Sequence, residues 1–493
     1  MRLHGVLAAL SLAVIAGAAE PDGKVTVNWD KITRVSKTTA TLQVVVNPPL
    51  RRGTAIHDAA FQALRDLQAD YVRYVPWLPY PKLGVAELEP PMNGKTSWDF
   101  SLVDPLTLDF LNATEGHPVV LNFSTIPQWM WLTPKPVPYP QDPDQVTWNY
   151  QQGTELRDPS MKEIGEYFER LVSWYTKGGF VDEAGKRQES GHHFNISHWE
   201  VLNEVDYEHN MSPRTYTAVY DAVVEAIRKV DPKMKFAALG LAAPAKGADT
   251  LEYFLDKKNH KPGIPVDFIS YHFYATPALD ETPAVQQFTF FNQAEGFLTL
   301  VRFIESIRTR LSPETGTMIN EVGSIAAEDG QQGKPGYVFR PIPDSYWNLS
   351  GAMYAYLFGQ LTNMGIDTVG ASQLVGYPTQ YPSVSLVDWN TGRPNARLRV
   401  LKLLRDHFGP GDRLVQTTQM GPFVYAQAFI TRGGARKILL VNKRDRAFHV
   451  AIPDAEGKSM EYVDQGTGSN PPAAGKVEGG TVHLTGYMVA VIQ

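Results

Sequence analysis

The chain contains no cysteine. Disulfides, thiolate metal sites and a cysteine nucleophile are therefore excluded, and stability must come from a buried core. Charge of one sign is also lacking. Forty-six Lys and Arg stand against 52 Asp and Glu, for a net charge of −6 and a pI of about 6.1. That balance selects neither nucleic acid nor an anionic membrane as a partner. No Gly-x-Gly-x-x-Gly turn follows the first strand pattern, and no Walker loop or Gly-x-Ser-x-Gly elbow occurs. Dinucleotide, P-loop and serine-elbow chemistry lose their usual signatures. Apart from Leu3 to Ile15 there is no long apolar run, and that one is too short to span a bilayer well.

What is present is a chain of 493 residues, too long for one ordinary domain. Its first residues read as a secretory signal. Arg2 supplies the positive start, Leu3 to Ile15 the apolar stretch, and Ala16-Gly17-Ala18 a small-x-small cleavage site. Residues 1–18 are expected to be removed, leaving an extracellular or periplasmic chain with no membrane attachment. Asn112, Asn122, Asn195, Asn210 and Asn348 stand in Asn-x-Ser/Thr sequons, and Asn122 lies inside a strand pattern.

From residue 54 strand and helix patterns alternate. Strands are expected at 71–75, 117–123, 196–204, 235–241, 266–274, 316–321 and 367–374, with helices between many of them. A right-handed βα series of this length predicts a (β/α)8 TIM barrel over residues 51–410. After residue 410 short alternating runs separated by Gly, Pro and Asn turns predict a C-terminal β-sandwich over 411–493. The alternating run at 39–46 falls outside the barrel rhythm. Residues 24–50 are therefore expected to add a strand to the sandwich. Residues 131–157 form a long Pro-rich loop after a barrel strand, and Trp129, Trp131 and Trp148 suit it to walling a substrate pocket.

Two glutamates close strand-like runs 117 residues apart (321 − 204): Glu204 in Trp199-Glu200-Val201-Leu202-Asn203-Glu204, and Glu321 in Thr317-Met318-Ile319-Asn320-Glu321. A barrel carries the C-terminal ends of distant strands to one face. A carboxyl pair there supports glycosidic cleavage, by retention at about 5–5.5 Å and by inversion at a wider gap. Glu200 is the local competitor, but it sits inside the strand. His272 and Tyr274 share one strand face between the two glutamates. Arg73 lies mid-strand, where a buried guanidinium needs an anionic partner. Trp77, Trp129 and Trp389 are candidate sugar platforms. His192, His193 and His198 lack the spacing of a catalytic zinc motif, so no metal or other cofactor is expected.

Those residues resemble glycoside hydrolase family 39, of the clan A retaining glycosidases. The resemblance rests on Trp199 to Arg228 with its Tyr216-x-x-x-Tyr220 helix, on Asp267 to Tyr274, on Asn320-Glu321, and on Leu386 to Ala396. It spans roughly residues 50–410. It implies that Glu204 is the acid/base and Glu321 the nucleophile, and that Asn203, His272 and Tyr274 hold sugar hydroxyls. Val205 stands where the family usually has Pro. The implied substrate is a hemicellulose-type glycoside, a β-xyloside or an arabinoside, as an oligosaccharide, polysaccharide or simple glycoside. The alternatives are a glucuronide, an iduronide or a β-glucan, a non-catalytic carbohydrate-binding protein on a degenerate barrel, or a metal-dependent hydrolase.

Overall fold

The computed structural model describes residues 21–493 except 136, 149–152, 332–335, 337 and 339. The expected signal, residues 1–18, lies outside the described residues.

Strand β1 (Gly23–Val35) precedes the barrel. Then follow β2 (Thr39–Val45), α1 (His57–Leu67), β3 (Val72–Val75), α2 (Asp104–Ala113), β4 (Val119–Leu121) and α3 (Lys162–Thr176). A small hairpin, β5 (Gly179–Val181) and β6 (Arg187–Glu189), leads to β7 (His198–Val201), α4 (Pro213–Val230), β8 (Lys235–Leu241) and α5 (Ala248–Leu255). The series ends with β9 (Phe268–Ala275), α6 (Pro283–Leu311), β10 (Gly316–Ser324), α7 (Asp344–Met364), β11 (Thr368–Ala371) and α8 (Ala396–His407). Eight parallel strands, β2, β3, β4, β7, β8, β9, β10 and β11, close into a barrel. A helix follows each of them, so the fold is a TIM barrel.

Local chemistry explains several boundaries. Ser212 accepts a hydrogen bond from the Thr215 amide and Pro213 opens α4, a capped start with Pro where no amide is needed. The Asp158 carboxylate accepts from the Ser160 amide and from the Glu163 amide in the first turn of α3, which starts at Lys162.

The run at 39–46 corrects the expectation. It is β2, the first barrel strand, and all of its residues are buried. Its alternation looks half-solvated because Gln43 points into a polar barrel interior, whereas Leu42 and Val44 join the apolar core. An inward polar layer thus imitates the wet face of a sandwich strand. The N-terminal strand that does join the C-terminal sheet is β1, between Arg413–Met420 and Phe448–Ala451.

That C-terminal sheet has nine strands and forms the β-sandwich domain. Alternate residues of its central strands serve different cores. Leu439, Val441, Val489 and Val491 join the barrel's core, while Ile438, Leu440, Ala490 and Ile492 join the sandwich's own. Inside the barrel, layers succeed one another. Val120, Ala237 and Met318 form an apolar floor. Above it Gln43, Arg73, Asn122, Glu200, Ser270 and Asn320 form a hydrogen-bonded polar layer.

Candidate active site

The polar layer carries the site. Arg73 is fully buried, and its guanidinium donates to Glu200 at 2.5 Å, Gln43 at 2.7 Å, Glu321 at 2.6 Å and Asn203 at 2.6 Å. Glu200 also accepts from Asn122 and Asn320 at 2.6 and 2.9 Å, and from the Ser270 hydroxyl. Its oxygens are saturated, and it is 0 % exposed. Burial pushes its carboxyl up, but Arg73 and these hydrogen bonds outweigh burial and hold it low. Glu200 is thus the counter-charge that makes a buried Arg73 tolerable, and it is closed to substrate.

Glu204 stands just past β7 in a left-handed turn. Leu202 has φ 59° and Glu204 φ 43°, costly for non-glycine residues and found where surroundings over-determine them. The Glu204 amide donates to the Gly240 carbonyl at 2.9 Å. Gly240 is itself at φ +51°, and a Cβ there would press on the Glu204 amide at 3.3 Å. The Tyr216 hydroxyl ties β7 to β8, donating to the Val201 carbonyl and accepting from the Leu239 amide.

Glu321 lies within β10, which runs three residues further than expected, to Ser324. A register shift against β9 between Met318 and Glu321 sets Glu321 opposite His272. The Glu321 carboxylate accepts from Arg73 at 2.6 Å and from the Tyr274 hydroxyl at 2.5 Å. His272 bridges the pair, with Nδ1 2.9 Å from Glu204 and Nε2 3.5 Å from Glu321. Ligand atoms of Glu204, His272 and Glu321 lie within 4.8 Å of one another. They are the one cluster of metal-ligand type among the described residues, but Glu204 and His272 already hydrogen-bond each other. The three histidines His192, His193 and His198 do not converge. His193 is exposed, His192 packs near Asp104, and His198 is buried at the barrel floor, where burial lowers it to about 4.

The two carboxyls are driven apart electrostatically. Burial raises Glu204, partly offset by the His272 hydrogen bond, and Glu321 and Asp206 raise it further. Burial also acts on Glu321, but His272, Arg73 and Tyr274 overcome it and hold it below the ordinary value. His272 loses from burial and gains more from its two carboxylates, so its net shift is upward. A carboxyl pair pushed in opposite directions is the arrangement that divides acid and base roles.

A cavity of about 490 Å³ opens over the pair. Asn203, Tyr274 and Trp77 line it with both glutamates, while Arg73 and His272 support the carboxylates from beneath. Two of the expected platforms are elsewhere. Trp129 donates to the Glu87 carbonyl and is covered by Arg157 at 4.3 Å. Trp389 lines a different cavity. The loop after β4 supplies Trp148 instead, edge-on to Trp77 at 5.5 Å and to Tyr381 at 5.4 Å. Sequence reasoning missed Tyr381, Gln373 and above all Glu208, which lie in the lining. Glu208 accepts from Trp77 Nε1 at 2.6 Å and Asn203 Nδ2 at 2.8 Å, through one oxygen. Burial, and then Glu204, push its carboxyl well up. Its only sequence signal was its place four residues after Glu204.

Residues 149–307 match the model of glycosyl hydrolases family 39. The chain is a glycoside hydrolase. The matched segment holds Glu204, Glu208, His272 and Tyr274; Glu321 lies beyond it. No curated protein matches the chain. Among solved structures, it is similar to a GH51 arabinofuranosidase from Xanthomonas axonopodis pv. citri, at 12 % identity and TM-score 0.66, covering 96 % of this chain and 100 % of that one. A family 51 α-L-arabinofuranosidase from Bifidobacterium longum superposes with TM-score 0.63 at 14 % identity, over 96 % and 99 % of the two chains. A GH30 endoxylanase from Clostridium papyrosolvens C71 gives 0.58 at 14 % identity, over 95 % and 99 %. These likenesses are of fold: a TIM barrel with an appended β-sandwich.

Proposed function

We propose that the protein is a secreted, retaining glycosidase of hemicellulose-type glycosides, acting on an α-L-arabinofuranoside or a β-xyloside. One observation carries the mechanism. The facing atoms of Glu204 and Glu321 lie within 4.8 Å, the close spacing of a nucleophile rather than the roughly 6.5–9.5 Å that admits a water. Glu321, held ionised by Arg73 and Tyr274, attacks the anomeric carbon. Glu204, whose carboxyl burial shifts toward the protonated form, donates its proton to the departing oxygen. The glycosyl–Glu321 ester is then hydrolysed by a water that Glu204 deprotonates, and configuration is retained. Asn203 and Trp77 meet the sugar from the wall. The sugar class is supported by the arabinofuranosidase and xylanase folds this chain resembles. Secretion is supported by Arg2 and the apolar run to Ile15. Among the described residues no helix is long and apolar enough to cross a membrane.

The test is hydrolysis of an aryl glycoside panel, with proton NMR of the anomer first released. Retention on the arabinofuranoside or xyloside is expected, and Glu321→Gln should lose several orders of magnitude in kcat. Inversion, or near-normal turnover by Glu321→Gln, would overturn the mechanism. Saccharide binding with no turnover by the wild type on any member or on polysaccharides would favour a binding protein.

A further inference from the structure

Trp389 is not idle. With Trp347 it lines a second cavity of about 360 Å³, completed by Asp388, Thr391, Arg393 and Ser469 among others. Trp347 belongs to the first turn of α7 and packs edge-on against buried Tyr346 at 5.2 Å. Trp389 stands in the β11–α8 loop, where Asp388 accepts from the amides of Asn390 and Thr391 and fixes the turn. Both indoles are half-buried and packed on the barrel core, so their planes are set by the fold. Ser469 arrives from the sandwich, its carbonyl held by Arg399 Nε at 3.0 Å. The cavity thus has walls from both domains.

Its chemistry is specific. Two indoles held by the barrel core line one cavity, ordered at little entropic cost, and a polar rim offers donors and acceptors. A sugar ring presents the complement, an apolar C–H face bordered by hydroxyls. The rim charges are Asp344, Asp388 and Arg393, one negative in sum, which disfavours a uronate. Val384 lines the catalytic cavity and Val387 lines this one. They stand three positions apart in the chain, so their Cα atoms are at most about 11 Å apart. We propose that this cavity is a second saccharide site, holding a neutral pentose or hexose unit of a polymer engaged beside the catalytic pocket. The inference rests on reading the substrate as a polymeric glycoside.

The experiment pairs binding of soluble arabinoxylan with turnover of an aryl arabinofuranoside or xyloside, for wild type, Trp347→Ala and Ser469→Trp. Ser469→Trp fills the cavity without removing an indole. Both variants should bind arabinoxylan at least about tenfold more weakly, with aryl glycoside kcat/KM unchanged, and Trp347→Phe should restore most of the affinity. Unchanged arabinoxylan affinity in the folded variants, or no arabinoxylan binding by wild type, would overturn the site. Loss of aryl glycoside turnover in step with polymer binding would make these residues structural and also overturn it. Trp347-dependent arabinoxylan binding by a wild type that hydrolyses nothing would support the second site and count against the catalytic reading alone.

Discussion

Glu204 and Glu321 carry the same side chain, yet their surroundings push the two carboxyls in opposite directions. Activity that needs Glu321 ionised holds above its lowered pKa and fails as pH falls through it. Tyr274→Phe removes the 2.5 Å hydrogen bond to that carboxylate. The acid limb of the kcat/KM profile should therefore move to higher pH. A hydrogen bond to a charged group is worth roughly 1.5–3 kcal/mol, so kcat should fall about 10- to 100-fold. Glu208 offers a second test. Its buried carboxyl is driven toward the neutral form, and a glutamine imitates a protonated carboxyl. Glu208→Gln should keep kcat within about threefold. Glu208→Ala leaves Trp77 and Asn203 without their acceptor, costing roughly 1–3 kcal/mol, or about 5- to 150-fold in kcat/KM. Equal loss in both variants would mean that Glu208 works as an anion.

At the scale of elements, Arg73 on β3 links β2, β7 and β10 through Gln43, Glu200 and Glu321. This link was legible only in part. A mid-strand arginine announces an anionic partner, but which carboxylate it meets depends on barrel closure across 127 and 248 residues of chain. The loop after β3 carries a less settled group. Glu87 is 0 % exposed and neither of its carboxylate oxygens has a partner. Burial pushes its pKa from 4.5 up to about 8. The sign follows from linkage: a carboxyl raised in the folded state favours folding fully below pH 4.5 and progressively penalises it up to about pH 8. Glu87→Gln should leave stability at pH 4.5 nearly unchanged and raise it at pH 8 by about 4 kcal/mol. Thermal unfolding at the two pH values checks this.

At the scale of the whole molecule, barrel and sandwich share one core. Leu439, Val441, Val489 and Val491 leave the sheet to pack with the barrel's residues. The protein should therefore unfold in one calorimetric transition. Leu439→Asp buries a charge in that seam and should cost at least about 3 kcal/mol. Two separated transitions in the wild type would contradict a shared core. The N-terminal crossing has the same meaning, since β1 completes the sandwich sheet before the chain enters the barrel at β2.

The sequence by itself determined the βα rhythm, the change to short alternating strands after residue 410, and the two Asn-Glu strand ends. Periodicity and turn chemistry are local, and a strand's C-terminal end in a parallel barrel has only one face to reach. Tertiary structure alone decided that the 39–46 run is a barrel strand, because exposure to water and burial in a polar interior leave the same alternation. It alone set Trp148 and Tyr381 over the glutamates, sent Trp389 to a second cavity, and turned Glu200 into a counter-charge and Glu208 into a wall. Those assignments depend on which distant side chains meet when the barrel closes, and no local pattern encodes that meeting.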